Sequence, residues 1–319
     1  MQLQQLAYFT AVAETRHFTQ AAEEMRVAQP SLSKQIRALE LDLGVILFNR
    51  ARGNITLTAA GEALLPLARR ILADTETARR EVQELAGLRR GRMRLGATPS
   101  LCAGPLADAL ALFHNRYPGI DLVVEEDGSR DLVRHLSRGE LDLALIILPV
   151  AAPDTPLATR SILQEQLVVA APVDGPADPP GRGPGAGHVA IHELRHRPLV
   201  MFRRGYDVRE ATLSACRQAG FEPRFAVEGG EMDAVLRFVE AGLGLAVVPS
   251  MALAGRPQLR GVALAPPGLA RTIALAHRRD VVPTNATRAF EETLLDFLSD
   301  AAASGGLPAG LELIAEPHV

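Results

Sequence analysis

Apolar residues in the N-terminal region recur at helical spacing, which predicts three short helices. The first set runs from Leu3 to Thr15, and two shorter sets occupy residues 18–25 and 32–39. Residues 26–28 form a tight turn between the last two sets. Pro30 suits the first turn of a new helix, because a missing N–H costs nothing there. The third helix is therefore expected to begin within a residue of Pro30.

The outward face of the third helix is polar and carries no acidic side chain. If Leu32, Ile36 and Leu39 face inward, the opposite face presents hydroxyl, amide and cationic groups. Hydroxyls and an amide can reach base edges in a major groove, and cations can neutralise phosphates. The solvated face of an ordinary helical bundle is the alternative. The predicted DNA-binding residues of this helix are Gln29, Pro30, Ser31, Ser33, Lys34 and Arg37.

Two short β-like runs follow the helix, which is expected to end at Gly44. They surround Arg52-Gly53 and form a predicted wing with Arg50 and Arg52 at its tip, which adds both arginines to the DNA-binding set. Residues 1–94 carry 14 Lys and Arg against 10 Asp and Glu, although the whole chain has a net charge of −3. The excess of basic over acidic residues lies in the same region as the third helix and the wing, as DNA binding requires, but this excess is modest. We therefore expect several copies to bind together.

A long helix is predicted over residues 59–86, with Thr58 as its cap and a bend at Pro66. Its apolar positions alternate spacings of four and three, which is a heptad pattern with charged flanks. Since twofold DNA half-sites pair with twofold proteins, we expect self-association through this pattern. Packing of the pattern on its own chain is the alternative. The predicted dimerisation residues are Leu64, Ala68, Ile71, Thr75, Ala78, Val82 and Leu85.

After a predicted hinge at residues 87–91, near-continuous apolar strands alternate with amphipathic helices. This pattern predicts a parallel sheet with both faces covered. Helices are expected over residues 100–116, 129–137, 206–219, 232–241 and 287–298. Strands are expected over residues 93–97, 121–125, 141–148, 167–172, 198–202, 224–228, 245–249 and 271–277.

The alternation predicts two α/β lobes within residues 92–302. Lobe I combines residues 92–165 with 269–302, and lobe II spans residues 166–268. Residues 174–188 are rich in Pro and Gly and are expected to form a long surface loop. The C-terminal tail, residues 303–319, is expected to be irregular, apart from a short strand at most.

Ligands of open α/β sheets collect at the carboxyl ends of strands, beside helix N-termini. Helix dipoles and guanidinium groups there favour an anion, so we expect a small carboxylate held by Thr98, Ser100 and Ser129, with Arg203 or Arg204 opposite. The alternative is that the hydroxyls only cap helices and the arginines lie on the surface. The predicted ligand-binding residues are Thr98, Pro99, Ser100, Gly128, Ser129, Leu148, Phe202, Arg203, Arg204, Gly205 and Tyr206.

A dense motif near the N-terminus resembles the helix-turn-helix of LysR-type transcriptional regulators. The consensus sequence of the family, FTxAAxxLxxxQPxxSxQIxxLExxLGxxLFxR, is matched at every defined position, except that Met25 replaces a Leu. The phrase AGLGLAVVP at residues 241–249 also fits. The matching residues are Phe18, Thr19, Ala21, Ala22, Gln29, Pro30, Ser33, Gln35, Ile36, Leu39, Glu40, Leu43, Gly44, Leu47, Phe48 and Arg50.

The resemblance covers nearly the whole chain and implies an architecture. It implies an N-terminal all-α winged helix-turn-helix in residues 1–58 and a dimerising linker helix with its hinge in residues 59–91. An α/β periplasmic-binding-protein-like effector domain of two lobes is expected to follow. The implied partners are a partly palindromic operator in double-stranded DNA, a small-molecule effector between the lobes, further copies in a dimer or tetramer, and RNA polymerase.

Two other functions have some support in the sequence. Residues 192–196 spell HExxH, in which two His one helical turn apart bind zinc and Glu193 activates water, as in metalloproteases. Pro198 ends any helix almost at once, which argues against that site, and a short exposed helix is the alternative. The α/β region alone would suit a transport-type solute-binding protein, but the first sixty residues argue against it.

Charge, hydropathy and cysteine content argue against several classes. The chain shows no signal peptide pattern and no apolar run of membrane-spanning length. Cys102 and Cys216 are far apart and outside any CxxC arrangement, so a cytoplasmic protein without disulfides is expected. We expect no cofactor, no bound metal, no membrane partner and no enzymatic activity.

Overall fold

The computed structural model describes residues 1–51, 54–84, 91–150, 157–174 and 187–314 of the chain. Two units are present, an N-terminal one that holds the first four helices and a second one that holds nearly all of the remainder. Across the described residues, no helix combines the length and the apolar character that crossing a bilayer requires.

The N-terminal unit has the predicted order of helices followed by a two-stranded wing. The third helix has Pro in its first turn and ends at Gly44, whose φ of +69° suits a residue without a side chain. The elements are α1 (Leu3–Thr15), α2 (Phe18–Glu24), α3 (Gln29–Leu43), β1 (Phe48–Ala51), β2 (Asn54–Leu57) and α4 (Ala59–Glu84).

The core of this unit lies between the helices and the first strand of the wing. Leu32, Ile36 and Leu39 of α3 are fully buried, as predicted, which fixes the rotation of that helix. Phe48 of β1 packs against Phe9 and Phe18, with ring centroids 5.3 and 5.8 Å apart. The wing is therefore anchored to the same apolar core as α3.

Helix α4 includes Pro66 and packs along α1. Ala68 is fully buried in the core of its own chain, and Leu64 and Ile71 pack beside it. The first half of the heptad pattern therefore packs on its own chain, which is the alternative to self-association given above. Val82 near the end of the helix is 70% exposed. Leu85 lies outside the described residues.

The second unit alternates strands and helices. Its strands are β3 (Gly91–Ala97), β4 (Ile120–Glu126), β5 (Leu143–Leu148), β6 (Leu157–Pro172), β7 (His188–Val189), β8 (Leu199–Met201), β9 (Phe225–Glu228), β10 (Ala246–Pro249), β11 (Leu259–Leu264), β12 (Ala270–Arg278) and β13 (Leu311–Leu313). Its helices are α5 (Pro99–Cys102), α6 (Pro105–Arg116), α7 (Ser129–Ser137), α8 (Asp207–Gln218), α9 (Met232–Glu240) and α10 (Asn285–Ser304).

The long strand β6 runs through both lobes. Its residues 157–166 pair with β12, and residues 167–172 pair with β10 and β11. The partners change close to the predicted boundary at residue 165. Each side has its own apolar core, with Phe113 and Phe290 in contact in lobe I and Val235 and Val239 buried in lobe II.

The predicted parallel sheet is confirmed for β3, β4 and β5, but it does not extend to the strands that connect the lobes. Strand β3 is parallel to β4 and β5, but β12 is antiparallel to both β5 and β6. Strands β6 and β12 carry the chain out of lobe I and back, so they must run in opposite directions. The second unit is therefore built on a mixed sheet.

Three further expectations need correction. The helix predicted over residues 100–116 is divided into α5 and α6, because Pro105 disfavours helical geometry at Gly104. Strand β11 was not predicted, because its apolar residues do not alternate with polar ones. Helix α10 extends to Ser304, beyond its predicted end at residue 298, while β13 is the short strand that the tail was expected to contain at most, and it pairs with β6. Residues 175–186 of the predicted Pro/Gly loop lie outside the described residues.

Candidate functional site

The outward face of α3 carries the predicted DNA-binding side chains. Pro30, Ser31, Lys34 and Arg37 are exposed, and the first turn contains no acidic residue. Neither Lys34 nor Arg37 forms an ion pair with any described residue, so both cations are available to phosphates. The surface is polar and positively charged.

The amide at the tip of this face is held in place. Gln29 Nε2 donates to Ser33 Oγ at 2.9 Å, which orients both side chains on the exposed turn. Arg50 lies in β1 but only its backbone is described, and Arg52 lies outside the described residues. The wing contribution to the predicted site therefore stays a prediction.

Glu40 connects α3 to the wing. Its Oε1 atom accepts hydrogen bonds from the backbone N–H of Leu47 at 3.0 Å and of Phe48 at 3.4 Å. The carboxylate thus provides hydrogen-bond acceptors for the backbone N–H groups at the start of β1. This fixes the start of the wing relative to the exposed face of α3.

The second candidate site is the cleft between the lobes, where the ends of β4, β5 and β8 meet. A Cβ added to Gly128 would lie 2.9 Å from the carbonyl oxygen of Gly205, so the two lobes touch through backbone there. Arg203 forms ion pairs with Glu231 and, at 3.4 Å, with Asp127. Of the residues predicted for this site, Gly128 and Gly205 are therefore in contact, and Arg203 reaches Asp127, the neighbour of Gly128.

Ser129 makes the most specific contact across the cleft. Its Oγ atom donates to Asp207 Oδ2 at 2.7 Å and accepts from Ile147 N at 2.9 Å. Its backbone N–H also donates to Asp207 Oδ2 at 3.4 Å. Ser129 therefore binds a carboxylate of its own chain, and its hydroxyl does not serve as a helix cap.

The remaining predicted hydroxyls differ from one another. Ser100 Oγ accepts a hydrogen bond from Arg271 Nη2 at 2.7 Å. Thr98 Oγ1 is buried and has no hydrogen-bond partner among the described residues, and it makes no capping bond to α5. The Tyr206 hydroxyl is likewise buried without a hydrogen-bond partner among those residues, so both groups keep hydrogen-bonding capacity for a ligand.

A buried ion pair below the cleft was missed by the sequence analysis. Glu165 on β6 is fully buried and lies 2.6 Å from Arg271 on β12. The other oxygen of Glu165 accepts from Met251 N at 2.9 Å. A single acidic residue in a polar stretch is ordinarily exposed, so the sequence carries no signal of this pair.

Burial and like charge shift several pKa values around the cleft. Burial raises the pKa of Glu126, and the neighbouring Glu231 and Asp233 raise it further. Burial also raises the pKa of Asp207, while the two hydrogen bonds from Ser129 and the charge of Arg271 oppose that rise. The pKa of Tyr206 is raised by burial and then by Glu231. The cleft thus contains closely spaced carboxylates as well as arginines.

The HExxH stretch does not form a zinc helix. Residues 191–196 form a 3₁₀ helix, in which positions i and i+4 point in different directions, so His192 and His196 do not share a face. Glu193 accepts a hydrogen bond from Ala190 N at 2.9 Å. Throughout the described parts of the chain, no group of His, Cys, Asp or Glu side chains is arranged to hold a metal.

Comparisons with known sequences identify both units. The family model described as "Bacterial regulatory helix-turn-helix protein, lysR family" matches residues 3–62, and the "LysR substrate binding domain" matches residues 86–299. A "Probable hydrogen peroxide-inducible genes activator" of Streptomyces viridosporus is 33% identical over 294 residues, covering 91% of this chain and 90% of the relative. The "Transcriptional dual regulator GltC" of Bacillus subtilis is 28% identical and covers 80% of this chain and 82% of the relative.

Solved structures of full-length regulators share the fold. A single-substitution variant of full-length OxyR from Pseudomonas aeruginosa is 26% identical, with a TM-score of 0.70 and coverage of 99% of both chains. CbnR in complex with its target DNA is 26% identical, with a TM-score of 0.65 and coverage of 93% of this chain and 100% of CbnR. These proteins are regulators rather than enzymes. The chain itself therefore belongs to the LysR family of DNA-binding transcriptional regulators, with an N-terminal winged helix-turn-helix and a two-lobed effector-binding domain.

Proposed function

We propose that this regulator binds a partly palindromic operator as a dimer or tetramer, and that a small carboxylate effector between its lobes modulates operator binding or activation. The observation that carries the first part is the exposed, acid-free face of α3, which is held rigidly by three fully buried residues: Leu32, Ile36 and Leu39. Gln29, Ser31 and Ser33 contact base edges, and Lys34 and Arg37 contact phosphates. Arg50 and Arg52 add phosphate contacts from the wing.

The proposal of a carboxylate effector is supported by chemistry within the cleft. Ser129 already binds the carboxylate of Asp207 through its hydroxyl and its backbone N–H, so this position suits an acid. Arg204 is exposed and forms no ion pair with the described residues. Arg203 is engaged by Asp127 and Glu231, so an effector must compete for it. Thr98, Ser100 and Leu148 complete the proposed site.

Self-association is proposed to use the outer part of α4. Val82 is largely exposed and Ala78 is exposed, whereas Ala68 is committed to the core of its own chain. Thr75, Ala78 and Val82 would then contact the α4 helix of a second copy.

RNA polymerase is proposed as a further partner, and DNA binding would place the protein in the cytoplasm.

Footprinting on the DNA upstream of its own gene, with and without candidate acids, tests the proposed function. Protection of two related half-sites that changes with an acid is the expected result. Calorimetry against acidic and neutral metabolites provides the second measurement. Tight binding of neutral compounds only would exclude a carboxylate effector, and absence of any protected site would exclude operator binding.

Peroxide sensing is the second candidate function, since one similar protein is a probable hydrogen peroxide-inducible genes activator and a similar solved structure is an OxyR variant with H2O2 bound. A peroxide-reactive thiol requires a lowered pKa. Here burial raises the pKa of Cys102 to about 11 and that of Cys216 to about 11, with acidic neighbours adding to both shifts. These are the two cysteines of the chain, so the small-molecule effector is the better supported proposal.

A further inference from the structure

The carboxylate of Asp207 occupies a position that suits a bound acid. Asp207 is the first residue of α8 in lobe II, and it accepts both hydrogen bonds from Ser129 in lobe I. Ser129 is fully buried, and its hydroxyl oxygen accepts the N–H of Ile147. The hydroxyl hydrogen of Ser129 is therefore directed at a carboxylate, and the contact joins the two lobes.

A cavity of about 430 Å³ adjoins this contact. Leu148, Val208 and Ala211 give it an apolar lining, and Asp207 and Arg271 lie on its wall. Its volume falls in the range of small-molecule sites, and its lining suits a hydrocarbon group. Asp207 both lines the cavity and reaches Ser129, so a molecule in the cavity lies next to the exchangeable carboxylate.

We propose that the cavity holds the apolar body of a small monocarboxylic acid, whose carboxylate replaces that of Asp207 on Ser129. The inference rests on the proposed effector function of the cleft. Asp207 then turns toward Arg130 and Arg271, whose positive charges already act on it. The exchange replaces a contact between lobes with a contact to the ligand. Acid binding and separation of the lobes at Ser129 are therefore coupled.

Calorimetry with butanoate and benzoate as probes tests the exchange. Asp207→Asn keeps the shape of the side chain but removes the competing charge, so both probes are expected to bind about tenfold more tightly than to the wild type. Asp300→Asn is the matched control, because it makes the same chemical change at an exposed residue of α10 that does not line the cavity. It is expected to bind both probes as the wild type does.

Ser129→Ala supplies an independent variant. It removes the shared donor, so benzoate is expected to bind about tenfold more weakly, and the gain from Asp207→Asn is expected to disappear in the double variant. Benzamide, a neutral analogue of the same shape, is expected to bind more weakly than benzoate to every variant that retains Ser129.

Several outcomes would overturn the exchange. One is equal affinity of the wild type and Asp207→Asn for the two acids. Another is the same gain in affinity in Asp300→Asn. The third is binding of benzamide that is as tight as that of benzoate. If such a result accompanies normal operator binding that responds to another metabolite, the inference fails and the proposed function stands. If the wild type binds no operator, the proposed function fails, and the acid affinities still decide the inference.

Discussion

The carboxylate of Glu165 lies 2.6 Å from the guanidinium of Arg271, and both side chains are buried where the two strands that connect the lobes pair with each other. Ser100 and the Met251 N–H satisfy the remaining groups of the pair. A buried ion pair needs such hydrogen bonds, because desolvation otherwise exceeds the attraction. The pair thus holds the two connecting strands together below the cleft between the lobes.

Breaking this pair should destabilise the effector domain. Glu165→Gln leaves the Arg271 charge buried without its counterion, so the free energy of unfolding should fall by about 3–5 kcal/mol. Urea denaturation measures it. Asp131→Asn is the control, since Asp131 pairs with Arg134 on an exposed helix surface. This substitution should lower the free energy of unfolding by less than about 1 kcal/mol. Similar losses in both variants would contradict this account of Glu165.

Arg37 and Ser33 should have different effects on DNA binding. Arg37→Ala should weaken binding to all sequences by a similar factor and reduce the salt dependence by about one phosphate contact. Ser33→Ala should instead change the preference among operators, because its hydroxyl is expected to contact base edges. Binding titrations at several salt concentrations on wild-type and altered operators measure both effects. Identical behaviour of the two variants would refute the assigned roles.

The thiols should be unreactive at neutral pH. With pKa values of about 11 against 9.0 for an ordinary thiol, Cys102 and Cys216 should be alkylated about a hundredfold more slowly in the folded protein than in urea. Iodoacetamide labelling followed by mass spectrometry measures the rates, and hydrogen peroxide should oxidise neither thiol readily. Rapid oxidation of either cysteine in the folded protein would revive the peroxide-sensing alternative.

The same thiols make stability fall at high pH. A raised folded-state pKa means that the folded protein keeps its thiol protons while the unfolded chain loses them. The resulting stabilisation is complete below pH 9 and declines as pH rises toward about 11. The measurement is the free energy of unfolding between pH 9 and about 11, for the wild type and for a Cys102→Ala, Cys216→Ala double variant. The slope of this free energy against pH should be smaller in the variant. A slope that is unchanged in the variant would show that other groups cause the decline.

Gly244 should not tolerate a side chain. A Cβ there would lie 2.5 Å from the carbonyl oxygen of Pro198, which is backbone and cannot move aside. Gly244→Ala should therefore reduce the free energy of unfolding by about 1–3 kcal/mol. Gly187→Ala is the control, because nothing lies within 4 Å of its added Cβ. Urea denaturation should separate the two variants clearly.

The sequence alone determined the N-terminal unit almost completely. Its helices depend on local spacing, on Pro30 at the start of α3 and on Gly44 at its end, and these signals act within a few residues. The same local signals predicted the helices and most strands of the effector domain. The buried face of α3, and with it the exposed Lys34 and Arg37, followed from periodicity.

Only the tertiary structure decided which distant groups meet. Ser129 and Asp207 are 78 residues apart, and Glu165 and Arg271 are 106 apart. No local pattern links such residues, and an isolated acidic residue gives the same sequence signal whether it is exposed or paired in a core. Strand direction was also decided at this level, because the pairing of β6 with β12 depends on how the chain returns to lobe I. Hence the exposed polar face of α3 could be predicted from the sequence, whereas the carboxylate contact between the lobes could not.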